Sequence, residues 1–284
     1  MPDTSAVELD RVTVRIAGRQ VLGPVSLDID AGQRWVLLGP NGSGKTTLLS
    51  VIGARLQPTS GSARVLGHTS GGADMRTVRG EIGHSSHTLS DLMPPSLRVL
   101  DVVLTGKRAV LAPWFQRYDD ADREQAHRRL GEVGAGHLAE RTFATCSQGE
   151  RQRALLARAM FADTPVLVLD EPCAGLDLGA RERLLAAIDA AAERRPSLVV
   201  VLATHHLEEI PSSSTHVALL ASGTLIASGP IETALTAKHL RACFDLDVEV
   251  ARRGDRWSAT AVGPSSGHRP SADARPPAAE TSGP

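Results

Sequence analysis

Residues 39–47 read GPNGSGKTT and fit the pattern G-x-x-x-x-G-K-[ST], with Gly39, Gly44, Lys45 and Thr46 at the fixed places. Successive backbone N–H groups can wrap a polyphosphate only where no Cβ blocks the approach, which accounts for Gly42 and Gly44. Pro40, Asn41 and Ser43 complete the loop. Lys45 is expected to reach the β- and γ-phosphates of a nucleotide, the Thr46 hydroxyl to take a place on Mg²⁺, and Thr47 to add a phosphate contact. The apolar run WVLL before the loop and LLSVI after it predict strand, loop, helix. The helix then points the positive end of its dipole at the same anion.

Two further stretches end in groups suited to phosphate chemistry. Residues 166–169, VLVL, run into Asp170 and Glu171, and residues 198–203, LVVVLA, run into Thr204 and His205. Both read as parallel strands buried on two faces, whose carboxyl ends are where open α/β sheets bind ligands. Asp170 is placed to hold Mg²⁺ through water, and Glu171 to polarise an attacking water. His205 is placed to touch a γ-phosphate. Ser147 and Gly149 lie just before the helical pattern of residues 150–160, where a small hydroxyl and a bare backbone suit another phosphate contact.

These groups need elements to carry them. Alternation of Val7, Leu9, Val12, Val14 and Ile16, and again of Val25, Leu27 and Ile29, predicts an antiparallel sheet leading into the P-loop strand. Ser62 to Leu66 reads as another short strand, residues 68–72 as loop, and Ile82 to Ser85 as a strand that gives way to a loop broken by Pro94 and Pro95. A mainly helical subdomain is expected over residues 89–146, with a helix from Asp119 or Asp120 carrying Ala126, Leu130 and Val133 on one stripe. Leu184, Leu185, Ile188 and Ala191 mark a crossover helix, and residues 217–220 and 225–227 a hairpin. A small hairpin is expected over 246–262 and a disordered tail over 263–284, which holds five prolines.

The 284 residues allow one large core or two modest ones. Charges nearly cancel, 31 basic against 32 acidic, so no broad nucleic-acid-binding face is expected. Cys146, Cys173 and Cys243 are widely spaced, which suits a reducing compartment and makes no metal cluster. No secretory signal is visible, and the longest apolar run falls far short of the ~18 residues that span a bilayer. The chain is expected to be soluble and intracellular, reaching any membrane through a partner.

The order of motifs, CSQGERQR at 146–153, VLVLDE at 166–171, AGLD at 174–177 and Thr204-His205, resembles that of the ATP-binding cassette family, with its signature, Walker B, D-loop and switch histidine. The resemblance covers about residues 7–244. It implies an α/β P-loop NTPase fold with a RecA-like core, an antiparallel β subdomain and an inserted α-helical subdomain. The core with its β subdomain would take residues 1–88 and 147–245. ATP and Mg²⁺ are the implied ligands, Lys45, Glu171 and His205 the implied catalytic residues, and ATP hydrolysis the implied reaction. His205 takes the sensor role; His206 is expected at the surface.

In that family the signature covers the nucleotide bound to the other subunit, so Ser147, Gln148, Gly149 and Asp177 are expected to act in trans within a homodimer holding two ATP molecules. Three features depart from the family pattern: the signature, the usual glutamine and the aromatic upstream of the P-loop. Cys146 and Gln148 stand where the signature has Leu and Gly. His87 stands where a glutamine is usual, either lining the metal or serving as a plain loop residue. Many cassettes stack adenine on an aromatic residue upstream of the P-loop, where residues 14–18 here read VRIAG with no aromatic, so Ile16 or Arg15 must pack there, with modest ATP affinity and poor rejection of GTP.

A lone cassette without membrane helices resembles the motor subunit of a transporter, cytoplasmic and peripheral on the inner face of the membrane through a separate permease. DVVLTG at 101–106 and THHLEEIP at 204–211 are similar to cassettes for metal, metal-chelate or oxyanion uptake, which implies an importer. The alternative is a soluble cassette ATPase acting on nucleic acid, the ribosome or a regulator.

Overall fold

A computed structural model describes residues 5–71, 75–113 and 116–262; the tail expected over 263–284 lies outside the described residues. Period-two alternation gives β1 (Ser5–Ile16) and β2 (Arg19–Asp30), joined through Ala17 and Gly18. Both turn residues are left-handed, φ 48° and 79°, the conformation that matches the twist of a two-residue hairpin. β1 pairs on its other side with β4 (Ser60–Val65), which turns back into β5 (His68–Thr69). Residues 68–72 are expected to be loop. The pairing of Thr69 with Arg64 makes the first two an edge strand instead, through a turn and not through any apolar pattern.

The second sheet is built from apolar runs: β3 (Arg34–Leu38), β6 (Ile82–Ser86), β7 (Val166–Asp170), β8 (Val199–Thr204), β9 (His216–Ala221) and β10 (Thr224–Pro230). Their order is β10-β9-β3-β8-β7-β6, parallel except for β10. This sheet is a septum between two cores. Val36, Leu38, Leu167, Leu169, Val200 and Leu202 face one; Leu37, Val166, Val168, Val199 and Val201 face the other. Burial of each such side chain contributes about 1.5–3 kcal/mol, so the strands that carry the polar groups at their ends are held from both sides.

On one face lie α1 (Lys45–Ile52) and the antiparallel sheet; α2 (Met75–Gly80) leads into β6. On the other face lie the helices that follow β6: α3 (His87–Leu92), α4 (Val99–Leu104), α5 (Asp120–Glu132), α6 (Gln148–Ala159) and the crossover helix α7 (Leu178–Arg194). After β6 a loop is expected, but the Ser86 hydroxyl accepts a hydrogen bond from the Leu89 N–H at 3.2 Å and a helix begins at His87. Asp119 caps α5 in a reciprocal arrangement with Asp122, and Ala126, Leu130 and Val133 are buried.

Past β10, α8 (Ile231–Ala234) and α9 (Ala237–Phe244) lead to a hairpin of β11 (Val248–Arg253) and β12 (Arg256–Ala261). Arg256 fastens it, donating to Glu182 Oε2 at 2.5 Å and to the Ile210 carbonyl at 3.4 Å.

Candidate functional site

The P-loop is shaped by what surrounds its backbone. A Cβ on Gly39 would lie 2.1 Å from the Leu220 carbonyl oxygen, so only glycine lets the chain leave β3 beside β9. Gly44 has φ 101° and serves as the N-cap of α1. The turn between β9 and β10 pins the loop: the Gly223 N–H donates to the Ser43 carbonyl at 3.0 Å, and the Gly23 N–H to the Gly223 carbonyl at 2.7 Å. The loop lines a concavity of about 240 Å³ formed by residues 41–47, Glu171 and Val21.

Lys45 is 4% exposed. Its ammonium donates to the carbonyls of Gly39 (2.8 Å) and Pro40 (3.0 Å) and lies 3.8 Å from Glu171 Oε1. Burial pulls its pKa down, against the opposing pull of Glu171 and Asp170. At the end of β7, Asp170 Oδ1 accepts a hydrogen bond from the Thr46 hydroxyl at 3.2 Å, and burial pushes its pKa up. The two oxygen groups assigned to Mg²⁺ therefore sit together, hard donors beside a phosphate-binding loop. Among the described residues there is no group of three or more His, Cys, Asp or Glu side chains able to hold a metal. One carboxylate and one hydroxyl fit a cation that takes its remaining ligands from phosphate and water.

Glu171 has a left-handed backbone, φ 46°, held by its N–H donating to the Ala203 carbonyl at 3.0 Å. That conformation costs a non-glycine residue roughly 1–2 kcal/mol and turns the chain sharply off the strand. His205 Nδ1 lies 3.3 Å from Glu171 Oε1. The turn that delivers His205 is locked from below, since the buried Thr204 hydroxyl bonds to the buried Glu209 carboxylate and accepts from the His206 N–H at 3.1 Å. His206 is exposed, as expected.

The remaining expected residues gather elsewhere. Ser147, Gln148, Gly149 and Asp177 line a separate concavity of about 410 Å³ at the adjoining N-termini of α6 and α7. Ser147 caps α6 reciprocally with Glu150: the Ser147 N–H donates to Glu150 Oε2 at 2.8 Å, which holds that carboxyl below the usual range. A Cβ on Gly149 would lie 2.6 Å from that of Ala180, so this glycine is required for α6 and α7 to meet. Asp177 caps α7 by accepting from the Ala180 N–H at 2.7 Å. His87 Nε2 lies 2.8 Å from the Gln148 side-chain nitrogen.

Ile16 is 52% exposed at the hairpin tip, and Arg15 bonds to the Gly18 carbonyl at 3.1 Å. In the sequence Glu150 figures only as the start of a helical pattern, and Val21 is not singled out. The Ser-x-x-Glu spacing of a capping box announces Glu150, whereas nothing local announces Val21.

A family model for ABC transporters matches residues 22–174. An uncharacterised ABC transporter ATP-binding protein, YlmA of Bacillus subtilis, is 37% identical over 251 residues, covering 88% of this chain and 95% of that protein. The hemin import ATP-binding protein HmuV of Nocardia farcinica is 36% identical over 82% of this chain and 78% of its own length. Among solved structures, an inward-facing ABC transporter described as of metal-chelate type superposes with a TM-score of 0.73 at 26% identity, over 91% of this chain and 97% of that one.

Proposed function

We propose, for a chain that belongs to the ABC transporter family and hydrolyses ATP as its ATP-binding subunit, that two copies close around two ATP molecules and drive a separate membrane permease. The observation that carries this reading is the separation of two half-sites on one chain. The P-loop and Glu171 line one concavity, with Asp170 bonded to Thr46 and His205 lying 3.3 Å from Glu171, while Ser147, Gln148, Gly149 and Asp177 line another. A two-fold arrangement lets each half-site complete the other's.

In this reading the backbone of residues 39–47 wraps the phosphates. Lys45 exchanges its carbonyl partners for the β- and γ-phosphates, supplying charge where it develops as the γ-phosphoryl leaves. Thr46 and Asp170 would hold Mg²⁺, which supplies charge neutralisation at the phosphate oxygens. Glu171 accepts a hydrogen bond from the attacking water and orients it, and His205, beside it, holds that water in line with the γ-phosphate. Ser147 and the Gly149 N–H close over the γ-phosphate from the partner.

Among the described residues no helix is long and apolar enough to cross a membrane. The proposed place is therefore the inner face of the membrane, on a permease, with transport inward as in the hemin importer relative. The proposed cargo class is a metal, metal chelate or oxyanion. Glu171→Gln protein loaded with ATP and used to capture partners from detergent-solubilised membranes of the native host tests this. A multi-spanning membrane protein is the expected catch; soluble partners alone would move the assignment to a non-transport ATPase.

A further inference from the structure

The first turn of α6 is tied mostly to its own surroundings. Glu150 bonds to Ser147 and Arg141, and Arg151 to the carbonyls of Phe143 and Ala144. Gln148 is different. Its side-chain nitrogen lies 2.8 Å from His87 Nε2, the amide donating and the ring nitrogen accepting.

The far end of that bond is well placed. β6 and β7 are in register with Ser86 opposite Asp170, so His87 leaves its strand at the level where Glu171 leaves the next one. Gln148 also fills the space beside the loop that follows Glu171: its Nε2 lies 3.8 Å from where a Cβ on Gly175 would be, and Gly175 has φ 73°. One amide thus joins the N-terminus of α6 to the end of β6, the strand paired with the one that carries this chain's own carboxylates. His87 and Gln148 are also the two places where the sequence departs from its family's glutamine and glycine, and they touch each other.

We propose that Gln148 and His87 are a positioning pair that links the two ATP sites of the dimer through the body of each subunit. The bond holds Ser147 and Gly149, which face the partner's nucleotide, in fixed relation to Asp170 and Glu171, which serve the chain's own. Neither side chain acts on phosphate in this role. The proposal rests on the two-subunit arrangement above.

The test uses the full chain carrying Glu171→Gln, with the ATP concentration for half-maximal dimerisation read by size. His87→Ala and Gln148→Ala should each raise that concentration about two- to tenfold, the range of one hydrogen bond. Combined, they should do no more than either alone, because one interaction is removed once. His87→Gln, whose amide can still accept from Gln148, should stay near the parent. With Glu171 intact, the loss should fall on KM for ATP and not on kcat.

Effects that add, an inert His87→Ala beside a damaging Gln148→Ala, or a His87→Gln as poor as His87→Ala would each overturn the pair. An inert His87→Ala would assign Gln148 a direct contact with nucleotide. Failure of the parent itself to dimerise with ATP would instead sink the two-subunit reading, and that is seen before any pair variant is compared.

Discussion

Lys45 is 4% exposed and rests on two backbone carbonyls, whereas Ser147, assigned to the same phosphates from the other subunit, is exposed and spends its hydroxyl on capping α6. The P-loop side is built into the septum sheet. Its two carboxylates lie together at the end of one strand buried on both faces, its lysine is desolvated, and its backbone is pinned by the β9–β10 turn. The signature side is a surface of two helix N-termini with their own local caps. Desolvated charge binds anions strongly, and exposed, locally satisfied polar groups can wait in water for a partner at little cost. The two regions are thus suited to opposite parts of one cycle, retention of nucleotide and reversible closure.

The largest test of this contrast removes charge from the buried side. Lys45→Ala should lower ATP hydrolysis on the order of 10³-fold, because the developing phosphate charge loses its closest cation. Glu171→Gln should lower it similarly while keeping ATP bound, leaving a dimer visible by size. Unchanged turnover in Lys45→Ala would defeat the P-loop assignment.

Gly149→Ala attacks the other side, since the added methyl meets Ala180. Hydrolysis should fall on the order of 10²-fold by loss of closure. Mixing it with Lys45→Ala should restore activity to about a quarter of wild type, because half of the dimers are mixed and each holds one intact composite site. No recovery on mixing would count against action in trans.

His84 probes β6, the edge strand of the septum sheet. Burial first, then Arg55 and Arg158, pulls its pKa from 6.5 to about 3. The unfolded chain binds this proton more readily, so stability is unaffected above pH 6.5 and falls as pH drops below it. The loss should reach about 2 kcal/mol at pH 5, read by urea unfolding. A His84→Leu chain should lose that part of its acid sensitivity; equal sensitivity in both would remove His84 as the cause.

The smallest expected effect concerns the base. With Ile16 exposed and no aromatic residue at 14–18 to stack on adenine, ATP and GTP should compete within about tenfold of each other. Strong rejection of GTP would show that another group reads adenine.

The positions of the candidate site residues were legible because their signals are local. Gly39 to Thr47 lie on one loop, Asp170 and Glu171 are neighbours, and His205 follows its own strand, so spacing along the chain equals arrangement in space. Asp119 and the stripe of Ala126, Leu130 and Val133 were legible for the same reason. The start of α3 was missed because the Ser86 cap is one hydroxyl on one N–H, outweighed in the sequence by Pro94 and Pro95. β5 was missed because two residues carry no periodicity.

By itself the sequence determined where the P-loop lies, which strands are buried on both faces and where the crossover helix runs. Each of these depends on residue type and period within a few turns or strands. Only the tertiary structure decided that Gly39 must be glycine because of Leu220, that Val21 lines the P-loop concavity, that Glu171 is left-handed beneath Ala203, and that His87 meets Gln148. Those contacts join segments dozens to nearly two hundred residues apart, and what fixes them is the packing of the two cores against one sheet, a quantity no local pattern carries.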